Sequence, residues 1–236
     1  MRSVIGILGG MGPEATGYFF NRLIARTAAV RDQDHARVLI WSDPAIPDRT
    51  SAILGAGESP LPALLHGVRV LERGGAGLIV MPCITAHFWA PQVRARARVP
   101  FVDLIEETVR IAARSIPGLK AAGLLASTGT VQSGIFHRAF ARRGVRVITP
   151  GERDQNRIME AIFGPGGIKA GIKTGRPRAI AGRAARRLIE NGAQAVIAGC
   201  TEIPLALRPA DLSVPYLEPM EIGAAACLRK AGYVRE

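Results

Sequence analysis

The sequence predicts an α/β protein made of two similar lobes, each with a mostly parallel β-sheet flanked by helices. Short apolar runs alternate with helical stretches along most of the 236 residues, which is typical of βα units whose sheet is covered on both faces. One half of the chain also resembles the other. We therefore expect the two lobes to be related by a pseudo-twofold axis, with a cleft at the carboxyl ends of their strands.

Eight apolar runs are the predicted strands. Each is rich in Val, Ile, Leu or Ala and is followed by residues suited to a turn or a helix. In chain order they are SVIGIL from residue 3, ARVLIW from 36, AGLIVM from 76, VPFVDL from 99, AAGLLAS from 121, VRVI from 145, QAVIAG from 194 and VPYLE from 214.

An internal repeat relates the two halves of the chain. GILGGMGPEATGYFF from Gly6 aligns without gaps on GLLASTGTVQSGIFH from Gly123, 117 residues later. The same offset aligns GAGLIVMPCIT with GAQAVIAGCTE, so that Cys83 corresponds to Cys200. VPFVD from Val99 resembles VPYLE at an offset of 115 residues.

These offsets predict the domain boundaries. The first lobe covers residues 1–115 and the second covers residues 116–220. The remaining residues, 221–236, form a terminal helix that packs back on the first lobe. This helix contains Cys227, which has no repeat partner and is expected to be a packing residue.

Composition excludes several classes of protein. Hydrophobic residues make up 48% of the chain, yet no apolar run is long enough to span a bilayer. The start, MRSVIGILGGMGPE, does not fit a secretion signal, so we expect a cytoplasmic protein with no membrane partner. The three cysteines are too few and too scattered for a disulfide framework or a zinc site, and are expected to be free thiols.

The net charge of +12 raises the alternative of a ligand-binding or DNA-binding protein without catalytic activity. Arginine dominates, as in RARAR (94–98) and RAARR (183–187). These arginines recur beside alanines at helical spacing, as on a solvated helix face, and no aromatic residues interleave with them to stack on bases. We therefore do not expect nucleic acid to be a main partner.

The two repeat-related cysteines point to chemistry. Each ends an apolar strand and precedes a segment that can start a helix, where partial positive charge lowers the pKa of a thiol. Threonine follows in both copies, as Thr85 and Thr201. The matching turns GGMGP and ASTGT expose backbone N–H groups that suit a carboxylate, while their glycine spacing does not fit a nucleotide-binding loop.

Two thiols on opposite sides of a small anion suit racemisation. One, as thiolate, removes a proton from one face of a carbon, and the other, as thiol, delivers a proton to the opposite face. This chemistry requires no cofactor and no metal, provided that the carbanion is stabilised by donors on the carboxylate.

Five motifs together resemble the cofactor-independent aspartate/glutamate racemase family. In order along the chain they are GILGGMGPEAT, IPDRT, MPCITAH, IKAG and GCTEIPL. The resemblance implies a two-lobed α/β homodimer that acts on a small amino-acid substrate, with Cys83 and Cys200 as the acid/base pair. It also implies Arg49 and Lys169 near the distal carboxylate of an acidic amino acid, and further substrate contacts from Met11, Thr85, Thr128 and Thr201.

One position departs from the family pattern. Ile84 stands where the family usually has asparagine, so an amide that would bind the substrate is replaced by a branched hydrocarbon. This substitution leaves open a broader pocket or a related isomerase or decarboxylase acting on a less polar carbon acid. Sequence alone leaves open whether His87 tunes Cys83 or makes a structural hydrogen bond, and it assigns no role to Glu202.

Overall fold

The computed structural model describes residues 2–233. Within them, contacts divide the chain into two compact units, the first made of residues 2–107 with 220–233 and the second of residues 108–219. The predicted end of the first lobe, residue 115, is the last residue of a helix that begins at residue 104. The two compact units instead meet inside this helix, after residue 107.

The first unit is a four-stranded parallel sheet in the order β2-β1-β3-β4. Its strands are β1 (Ile5–Gly9), β2 (Val38–Ser42), β3 (Leu78–Val80) and β4 (Phe101–Val102). Its helices are α1 (Pro13–Arg26), α2 (Arg49–Ile53), α3 (Leu61–Arg73) and α4 (Ala90–Arg96), followed by α5 (Leu104–Ser115), which crosses the boundary between the units. Short 3-10 helices cover Asp32–Asp34 and Thr85–Trp89.

The second unit repeats this sheet in the order β6-β5-β7-β8, again all parallel. Its strands are β5 (Ala121–Leu125), β6 (Arg146–Ile148), β7 (Val196–Ala198) and β8 (Tyr216–Leu217). Its helices are α6 (Thr128–Ser133), α7 (Ile135–Ala141), α8 (Glu152–Phe163), α9 (Arg176–Glu190) and α10 (Ile203–Ala206). Short 3-10 helices cover Ile168–Ala170 and Pro209–Asp211. The predicted fold class, two lobes that each contain a mostly parallel sheet flanked by helices, is confirmed.

Strand register reproduces the sequence repeat. In the first sheet Gly6 of β1 lies opposite Ile79 of β3, and in the second sheet Gly123 of β5 lies opposite Val196 of β7. Gly123 and Val196 therefore each lie 117 residues after their counterparts, Gly6 and Ile79. The fourth strands, β4 and β8, pair with the shorter offset of 115 residues that the sequence shows.

Burial on both faces explains the continuous apolar runs. Every residue of β1 and of β5 is buried, because parallel strands in the middle of such a sheet are covered by helices on both sides. The edge strands β2 and β6 are only partly buried. The carboxyl ends of β3 and β7 are held in the centre of their sheets, and each is followed within three residues by a cysteine.

Helix α9 accounts for one of the two arginine clusters. Ala184 and Ala185 are buried, while Arg183, Arg186 and Arg187 are exposed. Arg187 forms an ion pair with Asp154 of α8. The prediction of a solvated arginine face beside a buried alanine face is confirmed for this helix.

The last helix, α11 (Pro219–Lys230), belongs to the first unit by its ion pairs. Glu221 pairs with Arg26 of α1, and Arg229 lies 3.3 Å from Glu107 of α5. Cys227 is fully buried on this helix. Residues 234–236, part of the predicted terminal segment, lie outside the described residues. None of the helices described here has the length and apolar character needed to span a bilayer.

Candidate active site

Cys83 follows β3 in the first unit, and its side chain is buried. It belongs to one apolar cluster with Met11 and Ile46. Helix α2, which begins at Arg49, packs on the 3-10 helix Thr85–Trp89 that follows the cysteine. Residues from three distant stretches of the chain, after β1, after β2 and after β3, therefore lie together.

His87 supports the backbone at Cys83. Its Nδ1 lies 2.9 Å from the Cys83 carbonyl oxygen, and its Nε2 accepts a hydrogen bond from the Leu104 N–H at 3.1 Å. Since Nε2 accepts, Nδ1 must carry the proton, so these partners select the neutral Nδ1–H tautomer. Burial lowers the pKa of His87, which agrees with a neutral ring. His87 therefore ties Cys83 to the start of α5, and the structural reading of this residue is the correct one.

Arg49 is held by one of its terminal nitrogens. Nη1 donates to the carbonyl oxygens of Ile46 at 3.0 Å and Pro47 at 2.9 Å. Nε is buried and has no hydrogen-bond partner among residues 2–233. Arg49 thus stabilises the loop that precedes it through the Ile46 and Pro47 carbonyls. Its buried Nε–H is still a donor that a ligand can satisfy.

The turn after β1 is closely packed. Gly10 has φ of +94°, and a Cβ there would lie 2.3 Å from the backbone of Asp43, so only glycine fits this position. The Gly10 N–H donates to Thr16 Oγ1 at 2.9 Å. This N–H is therefore bonded within the protein and does not serve the carboxylate for which the turn was expected to provide donors.

The two residues after Cys83 are both buried. Ile84 is 1% exposed and Thr85 is 8% exposed. By strand register, Ile84 corresponds to Thr201 and Thr85 corresponds to Glu202 in the second unit. The two threonines that follow the cysteines are therefore not equivalent.

Cys200 follows β7 and has a charged partner. Its Sγ–H donates to Glu202 Oε2 at 2.9 Å, and the Thr201 hydroxyl donates to the same oxygen at 3.0 Å. Lys169 Nζ donates to the other carboxylate oxygen, Oε1, at 2.6 Å. The Lys169 ammonium also lies 5.5 Å from the centre of the Phe163 ring. Glu202 is buried, whereas the side chain of Lys169 is partly exposed to solvent.

This setting opposes ionisation of Cys200. Burial raises the pKa of the Cys200 thiol well above its ordinary value, and the negative charge of Glu202 and the hydrogen bond to its carboxylate raise it further. The backbone N–H of Glu202 and the charge of Lys169 act in the opposite direction on this pKa. The expected lowering of the thiol pKa by a helix N-terminus is therefore wrong for Cys200. Helix α10 has only four residues, and its weak dipole is outweighed by burial and by a carboxylate in contact.

Thr128 begins α6 and is held by α8. Its Oγ1 accepts from Gln155 Nε2 at 3.3 Å, and its N–H donates to Met159 Sδ at 3.2 Å. Gln155 Nε2 also donates to the Ala126 carbonyl at 3.0 Å, which fixes the orientation of the amide. Gln155 Oε1 is then buried without a partner among the described residues.

The predicted site residues thus fall into two groups. Met11, Arg49, Ile84 and Thr85 accompany Cys83 in the first unit, while Thr128, Lys169 and Thr201 accompany Cys200 in the second. Sequence reasoning missed the Glu202–Cys200 contact and the support from Gln155. A signal for Glu202 was available, since a carboxylate stands where the repeat has Thr85. Among the described residues, no group of three or more His, Cys, Asp or Glu side chains could bind a metal ion.

Comparison with known proteins agrees with the fold. A model of the Asp/Glu/Hydantoin racemase family matches residues 8–227. The broad specificity amino-acid racemase RacX of Bacillus subtilis (strain 168) is 27% identical over 235 residues, covering 97% of this chain and 96% of that protein. The structure of Picrophilus torridus aspartate racemase is similar with a TM-score of 0.86 at 32% identity, covering 98% of this chain and 94% of that one.

A more distant structure shows the fold alone. Glutamate racemase from Francisella tularensis subsp. tularensis SCHU S4, in complex with D-glutamate, has a TM-score of 0.73 at 16% identity, covering 99% of this chain and 84% of that one. The chain belongs to the Asp/Glu/Hydantoin racemase family. It is therefore an isomerase of the racemase type, and the resemblance noted in its motifs is confirmed.

Proposed function

We propose that this protein racemises an acidic amino acid, aspartate or glutamate, with Cys83 and Cys200 acting on opposite faces of the α-carbon. The observation that carries the proposal is strand register. Gly6 pairs with Ile79 as Gly123 pairs with Val196, so the two cysteines occupy the same place in two copies of one sheet. A repeated packing residue would not need to be a cysteine, whereas a two-base reaction needs one acid/base group from each side.

The reaction requires one proton to be lost and one to be gained. One sulfur, as thiolate, takes the α-proton and becomes a thiol. The other, as thiol, gives its proton to the opposite face of the carbon and becomes a thiolate. The two cysteines exchange protonation states in each turnover, and neither metal nor pyridoxal phosphate takes part in this scheme.

The substrate class is supported by a buried unsatisfied donor and by a second cation. Arg49 Nε is buried without a partner among the described residues, and a carboxylate with two oxygens is the group best suited to a guanidinium edge. Lys169 supplies a second cation. The relative at 32% identity is named an aspartate racemase, which also favours an acidic substrate. Contacts from Met11, Thr85, Thr128 and Thr201 complete the proposed site, and the homodimer and the cytoplasmic location remain predictions.

Exchange of the α-hydrogen in heavy water tests the two-thiol scheme. Cys83→Ala and Cys200→Ala should each abolish racemisation while leaving the fold intact. The remaining thiolate can still remove the proton on its own face and return a solvent deuteron to it. The two variants should therefore exchange the α-hydrogen of opposite enantiomers without inversion, as followed by NMR and chiral chromatography.

Cys227→Ala is the matched control, since it removes a buried thiol that lies outside the repeat. It should racemise at close to the parent's rate. Near-parental racemisation by either Cys83→Ala or Cys200→Ala would rule out the two-thiol scheme. Loss of parental activity on removal of a metal or of pyridoxal phosphate would do the same.

A second candidate function rests on Ile84. Its side chain is 1% exposed and supplies no hydrogen bond to a polar substrate. A relative with 27% identity is named a broad specificity amino-acid racemase, which favours a wider substrate range. A related reaction on a less polar carbon acid also fits this residue. A panel of amino acids and carbon acids assayed by chiral chromatography distinguishes the two candidates, because preference for an apolar substrate would favour the second.

A further inference from the structure

The two cysteines differ in their nearest charged neighbour. Cys200 contacts the carboxylate of Glu202, which in turn contacts Lys169. Strand register places Thr85 at the equivalent position beside Cys83. The repeat has thus diverged at the second residue after each cysteine, and only the second lobe has a carboxylate there.

A carboxylate in contact with a thiol favours the thiol form. The S–H group donates a hydrogen bond to the negative oxygen, whereas a thiolate at the same distance would be repelled by it. Lys169 opposes this effect only in part, because its ammonium contacts Glu202 itself. Cys200 also belongs to the hydrophobic cluster of its unit, together with Ile158 of α8, Ala181 of α9 and Ile203 of α10. Glu202 and Lys169 are the charged groups that act on Cys200 within the described residues of its unit.

We propose that Glu202 is a positioning residue that keeps Cys200 in the thiol form, so that the two cysteines are unequal and the resting enzyme is set for one enantiomer. The part of this inference that concerns enantiomers rests on the proposed two-thiol function. In the resting state Cys200 is the acid of the pair, ready to give its proton to the carbon. The enantiomer that reacts directly is the one whose α-proton faces Cys83. The other enantiomer reacts only after Cys200 has lost its proton.

The inference predicts the same change in the pH profiles of both enantiomers. Each reactive form of the enzyme carries one proton on the cysteine pair, so kcat/KM has the same pH dependence for both enantiomers. The ionisation of Cys200, the thiol that keeps its proton to higher pH, sets the descending limb of this profile. Glu202→Gln removes the negative charge, so the descending limb should move to lower pH by about one unit or more. Glu202→Asp keeps the charge and should bring this limb back towards its parental position. A merely structural defect would lower the rates without moving the descending limb.

Glu160→Gln is the matched control. Glu160 lies in the same unit and pairs with Arg176 on an exposed surface. Its removal should leave both rates and all limbs unchanged. Movement of the descending limb in this control, or its failure to move in Glu202→Gln, would overturn the inference.

A titration without turnover separates this inference from the proposed function. In a Cys83→Ser/Cys227→Ala protein the sole remaining thiol is Cys200, and its ¹³Cβ chemical shift reports ionisation directly. The midpoint should lie above the ordinary value for cysteine of about 8.5. In this background Glu202→Gln should lower the midpoint by about one unit or more, and Lys169→Met should raise it, because the two charges act in opposite directions.

The signs of the two shifts decide the outcome. An ordinary midpoint that neither substitution moves would overturn the inference even if the protein racemises aspartate. A raised midpoint with the predicted opposite shifts would support it even if no amino acid is racemised. Should Glu202→Gln fail to fold, Lys169→Met alone must still raise the midpoint, and a fall or no change would contradict the proposal.

Discussion

Cys83 and Cys200 end equivalent strands of two equivalent sheets, but different side chains hold them. Behind Cys83 lies a neutral imidazole, that of His87, which bonds the backbone carbonyl and leaves the thiol itself without a charged contact from that ring. Beside Cys200 lies an ion pair whose buried carboxylate, that of Glu202, accepts a hydrogen bond directly from the thiol.

This difference separates the features that the two lobes share from the features in which they have diverged. Sheet order and register are the same in both lobes, because both depend on apolar strands that helices cover on two faces. The residues around the cysteines are free to diverge, because packing does not determine their charge. On the proposed two-thiol scheme, this asymmetry decides which of the two thiols holds the proton in the resting enzyme.

The largest expected effect tests the division of substrate binding between the lobes. Arg49→Ala in the first lobe should lower kcat/KM for aspartate by roughly 30-fold to several thousand-fold, the equivalent of about 2 to 5 kcal/mol, because a two-point contact with a carboxylate is lost. Lys169→Ala in the second lobe should cost less, since part of its charge already neutralises Glu202. Steady-state kinetics on aspartate, glutamate and alanine measure both effects.

Arg176→Ala is the control for loss of a cation, because Arg176 pairs with Glu160 at an exposed site. It should behave like the parent. If Arg49→Ala and Lys169→Ala both act on aspartate as well as the parent does, the acidic-substrate assignment is wrong. A parent that prefers alanine would contradict it equally.

The second prediction concerns the imidazole of His87, which supports the backbone at Cys83 in the first lobe. His87→Leu removes the hydrogen bonds that the imidazole makes with the Leu104 N–H and the Cys83 carbonyl. We therefore expect a loss of about 2 to 4 kcal/mol in the free energy of unfolding at pH 7.5. Urea denaturation followed by circular dichroism measures this loss. His66→Gln, at an exposed position, should change stability by less than about 0.5 kcal/mol.

The stability difference between the parent and His87→Leu should depend on pH. Burial lowers the pKa of His87 in the folded state, so its contribution to stability is complete above the unfolded value of about 6.5 and is lost as pH falls below it. The difference in the free energy of unfolding between the parent and His87→Leu should therefore become smaller on acidification. A difference that becomes larger at pH 5 would show that the folded imidazole is charged.

The sequence was sufficient for the fold because the decisive signals are local and repeated. Continuous apolar runs predict buried parallel strands, and the 117-residue offset reappears in the pairing of Gly6 with Ile79 and of Gly123 with Val196. A run of hydrophobic residues has few other ways to be buried, so pattern and structure agree at all eight strands.

The electrostatics of the site were not predictable in the same way. The effect of Glu202 on Cys200 depends on a carboxylate turned inward, and on Lys169 from a segment 33 residues earlier in the chain. Local pattern suggested a helix N-terminus that would favour the thiolate, whereas the observed helix is a single turn. His87 likewise depends on Leu104, which belongs to another element.

The third prediction exchanges a first-lobe residue for the polar side chain usual in the family. Ile84→Asn should raise the rate on aspartate or glutamate by about a few-fold to a hundred-fold, since one added hydrogen bond contributes roughly 0.5 to 1.5 kcal/mol, or up to about 3 kcal/mol to a charged group. Ile84→Leu keeps the pocket apolar and should give no gain. A folded Ile84→Asn protein without any gain would show that Ile84 belongs to a pocket built for another substrate.

The smallest effect is expected at Cys227, the cysteine outside the repeat. Burial raises the pKa of this thiol far above its ordinary range, so the folded state keeps the proton that the unfolded chain loses near pH 8.5. Its contribution to stability is therefore complete below about pH 8.5 and falls as pH rises, by up to about 1.4 kcal/mol per pH unit. Cys227→Ala should leave racemisation unchanged and cost about 1 kcal/mol of stability at pH 7 through lost packing. Urea denaturation of both proteins at pH 7 and pH 10 should show this deficit shrinking or reversing at the higher pH. A deficit that grows with pH would mean that the folded protein stabilises the Cys227 thiolate, contrary to its fully buried position.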